Sequence, residues 1–259
     1  MAGFQQLTIF RDMDFRGHAS HTGNIKGNPS MEKVVFVDHF QGKALDTSND
    51  WNSAGEASGA PTHEAPHIMV ITTESGDNDE WTIATQLNYR GEYNSIFEVR
   101  ARCDDVTGLQ WYIGFNDAIV HAAKLAMAYA ITTLDSQAVD SVGFLFDPEA
   151  TTKNIFGVSV NTNTNGSIID SGHAETSASW ATYRLELRDN GSGNGNANAF
   201  YYLNTAGKEI DPVVDLIGME VDAVPRGTPL CLYIGVMNFG AGADNLDVDY
   251  VKTWQDAQA

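Results

Sequence analysis

The sequence predicts an all-β fold, a two-layered β-sandwich, and three observations carry that prediction. Residues 141–163 read SVGFLFDPEATTKNIFGVSVNTN: two β-rich runs around a polar break, Pro148 to Asn154, the signature of a hairpin. Both runs carry apolar residues on both faces, which suits inner strands covered on two sides. Elsewhere, Phe97, Val99, Ala101 and Cys103 alternate with Glu98, Arg100, Arg102 and Asp104, one face for a core and one for water. The chain also holds 24 glycines, with Asn- and Thr-rich breaks between short apolar runs, which favours turns and strands over long helices.

In order along the chain, residues 1–33 differ from the rest. Phe4, Leu7, Phe10 and Met13 have helical spacing, while Ile9 and Phe15 also suit a strand. GHASHTGNIKGNPS then reads as an extended linker or arm. Val34 to Phe40 is the first strand, followed by a turn-rich segment to Trp51 and an Ala54 to His67 loop. Strands are expected at Ile68–Thr73, Trp81–Leu87, Glu92–Cys103 and Leu109–Phe115. Ala118 to Ala130 fits either a short helix or a loop strapped over the sheet. After the central hairpin, Trp180–Arg188 and Ala199–Leu203 pair around the turn DNGSGNGNAN, and Pro212–Val224 is mixed. Leu230–Met237 is apolar on both faces, hence interior, and Leu246–Trp254 closes the chain. The count comes to roughly eleven to thirteen strands, with no internal repeat.

The net charge of −19 excludes a duplex nucleic acid partner, which such a surface would repel. Residues 1–33 stand apart, with four basic and three acidic side chains; the rest of the chain, at −20, holds the whole negative balance. Such a surface favours solubility, a basic partner or a cation. Cys103 and Cys231 sit among apolar neighbours and read as small buried hydrophobes rather than a disulfide. No basic leader precedes a long apolar stretch, and no run approaches the ~18 apolar residues of a membrane span; neither export nor membrane insertion is expected.

The opening VDHFQGKALDTSNDWN, the middle FEVRARC followed by WYIGF, and the closing LDVDYVKTW resemble concanavalin A-like lectin/glucanase jelly rolls over about Val34 to Gln255. The resemblance implies a concanavalin A-like jelly-roll β-sandwich, residues 34–259, preceded by an extended N-terminal arm, residues 1–33. A narrower set, WYIGFND, VDSVGFLFDPEATTKNIFGVSV, TYRLELRDNG and the final VDYV, resembles virion proteins of tailed bacteriophages built on this sandwich. In related jelly rolls an aspartate before the aromatic of the last strand ligates calcium, and the matching position is Asp249. Solvation of an edge strand explains Asp247 and Asp249 equally well.

Glucanases of this fold use two carboxylates ~5 Å apart, supplied from one strand as E-x-D-x-x-E. No such spacing is present: Glu98 heads VRARC, and Asp215 and Glu220 lie in DLIGMEVD. No serine elbow or phosphate-binding glycine loop occurs. The seven histidines, His18, His21, His39, His63, His67, His121 and His173, show no zinc spacing. Trp51, Trp81, Trp111, Tyr112 and Trp180 are candidates for a sugar platform and read more readily as core. The expectation is therefore a non-enzymatic virion protein without cofactor, a decoration protein of the capsid in a particle assembled in the host cytoplasm. Its partners would be the major capsid protein or other virion subunits and further copies of itself, a trimer among the options. Phe4, Leu7, Ile9, Phe10, Arg11 and Arg16 would form the contact. The alternatives are a carbohydrate-binding adhesin module and, behind it, a glycosidase with relocated carboxylates.

Overall fold

The computed structural model describes residues 33–41, 44–48, 50–55, 61–64, 67–76, 78–121, 125–130, 132–191, 195–240 and 242–256. The strands, in chain order, are β1 (Lys33–Asp38), β2 (Asn52–Gly55), β3 (Pro61–Glu64), β4 (Ile68–Thr72), β5 (Glu80–Ala84), β6 (Ile96–Cys103), β7 (Leu109–Asn116), β8 (Met127–Ala130) and β9 (Thr133–Ser136). They continue with β10 (Ser141–Phe146), β11 (Asn154–Asn161), β12 (Thr164–Asn165), β13 (Ile169–Ala174), β14 (Ala181–Asp189), β15 (Asn196–Asn204), β16 (Leu216–Pro225), β17 (Cys231–Asn238) and β18 (Asn245–Asp256). The first sheet runs β16-β15-β14-β6-β18-β4-β3, with β1 also on β18; the second runs β12-β11-β10-β7-β17-β5-β2, with β13 on β11. The ribbon β8-β9 stands apart.

The expected alternation places the core between the sheets. Phe97 and Val99 of β6 and Tyr183, Leu185 and Leu187 of β14 face Trp111, Ile113 and Phe115 of β7 and Val142, Phe144 and Phe146 of β10, all buried in one cluster. Aromatic rings meet edge-on there: Trp111 on Tyr183 at 5.0 Å, Phe97 on Phe115 at 5.2 Å and Phe144 on Tyr201 at 5.6 Å. Both cysteines are free and buried, as their neighbours implied. The opening segment is held by Asp38, whose two carboxylate oxygens accept from the Phe40 amide at 2.7 Å and the Trp51 indole at 3.0 Å. That aspartate ties the first strand to a tryptophan 13 residues on, and Trp51 lies in the core.

The central hairpin forms as its sequence implies, with Ser141 opposite Val160 and Leu145 opposite Phe156. Its second covering is a strap, the described residues of 117–140, which contains β8 and β9 and so favours, over the described part of Ala118–Ala130, a loop laid on the sheet. Leu125, Ala126, Met127, Leu134 and Ala138 of the strap are buried on Tyr112, Leu145, Phe156, Val158 and Tyr233, on the outer face of the second sheet. The floor beneath is a checkerboard. Tyr112 of β7 is opposite Gly235 of β17, and Tyr233 of β17 is opposite Gly114 of β7. Each glycine leaves the space a tyrosine ring needs: a Cβ on Gly114 would stand 2.3 Å from the Tyr112 hydroxyl, and one on Gly235 2.8 Å from the Tyr233 ring. Gly143 of β10 completes the floor, where a Cβ would come within 2.5 Å of the Gly114 backbone.

The Ala54–His67 loop is a correction: it contains the end of β2 and all of β3. Both are short edge strands with no buried face of their own, and β3 opens on a proline, which an edge tolerates. Strands β8, β9, β12, β13 and β16 were also invisible to periodicity, so eighteen strands are described against eleven to thirteen expected. Replacing Gly143 by Ala should lower stability by about 2 kcal/mol in urea unfolding, because the clash is with backbone that cannot swing aside. Gly227→Ala, where the Cβ meets nothing within 4 Å, should leave stability unchanged.

Candidate functional site

The outer face of the first sheet carries the alternating polar residues of β6, β14 and β18. In one row Tyr202, Arg184, Glu98 and Lys252 lie side by side across β15, β14, β6 and β18. Arg184 and Glu186 are nearly buried and paired at 2.5 Å, and Arg188 reaches the same carboxylate at 2.7 Å. The Arg184 guanidinium stacks 5.0 Å over Trp254, and that of Arg188 lies 4.1 Å over Phe200. Glu98, 2% exposed, accepts from the Tyr250 hydroxyl at 2.9 Å and faces Lys252 at 3.5 Å. Burial and the neighbouring Glu98 push the Tyr250 phenol far above its ordinary range. Buried charges of this kind persist because each is paired and hydrogen-bonded.

This lattice bears on the glucanase chemistry. Glu98 and Glu186 stand on adjacent strands, a cross-strand relation that intervals along one strand cannot reveal. Both are nearly buried and engaged by cations. Glu220 faces inward, accepting from Ser159 Oγ at 2.7 Å and the Ser167 amide at 2.6 Å. Asp215 accepts from Asn204 and the Asp211 amide. Asp249 is bound to Arg100 at 2.6 Å and Asp247 to Arg102 at 2.7 Å; a calcium ion at Asp249 would have to compete with that guanidinium. No group of three or more His, Cys, Asp or Glu residues able to hold a metal ion occurs among the described residues.

Of the candidate sugar platforms, Trp51, Trp111 and Tyr112 are buried. Trp180 is half-buried, with Arg100 and Arg102 at 4.5 and 4.6 Å over its ring, and half-buried Trp81 covers Gly55. The outer face of the second sheet is closed by the strap. Its fastenings are aspartates: Asp147 accepts from the Tyr129 amide at 2.9 Å, and Asp117 from the Val139 and Asp140 amides. Asp140 in turn accepts from the Thr162 amide at 2.7 Å. His121, in the strap itself, packs against Asn116 and the Tyr233 ring, and burial pushes its pKa down. Phe4, Leu7, Ile9, Phe10, Arg11 and Arg16, with His18 and His21, lie outside the described residues.

One acid was missed by sequence reasoning. Glu175 follows β13, where no periodicity marks it, and is 9% exposed at one end of the sandwich. Its carboxylate accepts from the Thr176 amide and the Tyr183 hydroxyl, both at 3.1 Å. It borders a hollow of about 290 Å³ with His173, Thr176, Ser179 and Thr205. Burial pushes its pKa up to about 7 from an ordinary 4.5. The folded chain therefore holds this proton more tightly than the unfolded chain. The resulting stability is fully present below about pH 4.5 and is lost as pH rises to about 7, an effect of up to about 3 kcal/mol. Thermal melts of Glu175→Gln against wild type should show the variant losing less stability between pH 4.5 and 7.5; parallel curves would show that the carboxyl is not shifted.

No protein-family model matches the chain, and neither does any curated protein sequence. Solved structures do resemble it. A glycoside hydrolase family protein from Mycobacterium thermorestibile superposes with a TM-score of 0.54 at 11% identity, covering 84% of this chain and 99% of its own. The β-glucanase of Bacillus licheniformis gives 0.54 at 10% identity over 86% of this chain and 98% of that one. The carbohydrate recognition domain of Emp47p gives 0.53 at 10% identity, covering 86% and 95%. The likeness is one of fold: the chain is an all-β, concanavalin A-like jelly-roll β-sandwich.

Proposed function

We propose that this chain is a non-enzymatic structural protein of a tailed-bacteriophage particle, a decoration protein that holds to the capsid shell through its N-terminal residues and the surface of its sandwich. The observation that carries the non-catalytic part is the state of the two outer sheet faces. One is roofed by the strap, and the other is a lattice of mutually paired Arg, Glu and aromatic side chains. A glycoside hydrolase of the retaining or inverting kind needs two acids facing an open space the width of a sugar ring. Glu98, Glu186, Glu220, Asp215, Asp247 and Asp249 are instead committed to guanidinium, ammonium, hydroxyl and amide donors.

The virion part rests on the sequence resemblance and on charge. A sandwich at net −20 presents a surface suited to a basic partner and resistant to self-aggregation, while residues 1–33 carry a net +1 and five aromatic or aliphatic side chains within the first ten residues: Met1, Phe4, Leu7, Ile9 and Phe10. Several copies on one shell would gain avidity through oligomerisation, with a trimer as the simplest symmetric unit above a dimer.

Purified particles carrying the chain provide the test. Deleting Met1 to Lys33 should leave a sandwich that melts cooperatively but no longer occupies the particle. Unchanged occupancy would overturn the anchoring role. Release of reducing sugar from β-glucans, abolished by a single Asp or Glu substitution, would overturn the non-enzymatic reading.

A further inference from the structure

The edge of the first sheet at β16 is unlike the rest of the surface. Nine large hydrophobic side chains are exposed among the described residues, and five fall between positions 213 and 221. Val213 is 89% exposed and Val214 75%, in the turn before β16; Leu216, Met219 and Val221 are about half exposed on the strand itself. Met219 lies opposite Phe200 and Leu216 opposite Tyr202 on β15, so these two side chains share the outer sheet face with those rings. β16 is the last strand of its sheet, ten residues long, and no strand pairs with its far side among the described residues. An edge of this kind offers backbone donors and acceptors to an incoming strand.

Charge selects the occupant. Residues 209–222 hold five acids, Glu209, Asp211, Asp215, Glu220 and Asp222, and neither Lys nor Arg. Glu220 turns inward to Ser159, while Asp211 and Asp215 flank the exposed Val213 and Val214 in sequence. Asp211 and Asp215 are bonded to neutral amide donors, Val213 N, Asp211 N and Asn204 Nδ2, which leave their charge in place. Two copies of this chain joined edge to edge about a two-fold axis would set these rims against each other, at a cost in like-charge repulsion.

We propose that the β16 edge is a strand-addition site for an extended segment of another protein, apolar at its centre and flanked by Lys or Arg. Main-chain pairing along β16 supplies affinity. The Val213–Val221 strip receives alternate apolar side chains, and the acid rim selects the cationic flanks. This goes beyond the decoration reading, because it fixes the partner's chemistry and the receiving strand without reference to any particle.

The test uses the full-length chain and two labelled peptides with the same alternating Val/Thr centre, one flanked by Lys and one by Glu. Fluorescence anisotropy should give at least about tenfold tighter binding of the Lys-flanked peptide, weakening at raised salt. Met219→Asp and Val221→Asp, at exposed positions that leave the melting temperature unchanged, should each weaken it at least about tenfold. Hydrogen exchange should show the amides of 216–225 that are not bonded to β15 gaining protection only when that peptide is present. Equal binding of both peptides, or binding undiminished by the substitutions, would overturn the proposal. So would protection, in the peptide-free chain, of the β16 amides that are not bonded to β15, which in a monomer assigns the edge to the chain's own N-terminal residues and in an oligomer to a second copy. Particle attachment plays no part in these readouts, so their failure is separable from failure of the decoration reading.

Discussion

The exchange of tyrosine and glycine between β7 and β17 sets what the second sheet can present to its surroundings. A tyrosine ring can lean over a pleated sheet where its neighbours lack a Cβ, and Gly114, Gly143 and Gly235 supply that space around Tyr112 and Tyr233. The two rings, 6.0 Å apart and tilted 55° to each other, make an apolar floor. The strap can then lie close enough to bury Leu125, Met127 and Leu134, a burial worth roughly 2 kcal/mol for each such side chain. The floor and the strap thus depend on each other, and together they turn a solvent-facing surface into a second core.

The first sheet reaches the same end by different chemistry. Its outer face is polar, yet Glu98, Thr182, Arg184, Glu186 and Tyr202 are buried there. Long side chains lie across the sheet, with guanidinium planes stacked on rings and the Glu186 carboxylate shared between two cations. With both faces committed, recognition is left to the edges and ends: the β16 edge, the hollow beside Glu175 and the loops that join the strands.

Much of this was legible in the sequence. The two-faced hydrophobicity of Val142–Phe146 and Ile155–Val160 correctly implied covering on both sides, because a strand with one wet face cannot carry Leu145, Phe156 and Val158 opposite Val142 and Phe144. Tyr-Ile-Gly occurs at 112–114 and again at 233–235, a match too short to announce the checkerboard that the β7–β17 register produces. The rest was not readable from spacing. Glu98 and Glu186 are neighbours only through the β6–β14 register, and Glu175 owes its shifted proton to burial at the end of β13. The edge strand β16 breaks its own alternation with two register shifts against β15 and a left-handed Asp222, so its period was lost.

The central claim is that the strap is a permanent part of the fold rather than a lid over a binding face. Native-state hydrogen exchange reports this most directly, through the Tyr129 amide bonded to Asp147 and the Gln137 amide bonded to Ala126. If the strap is permanent, both exchange only through global unfolding, with the same free energy and denaturant dependence as the amides of β7 and β10. Exchange by a separate opening of lower free energy and smaller denaturant dependence would contradict the account and expose Tyr112 and Tyr233 as a platform.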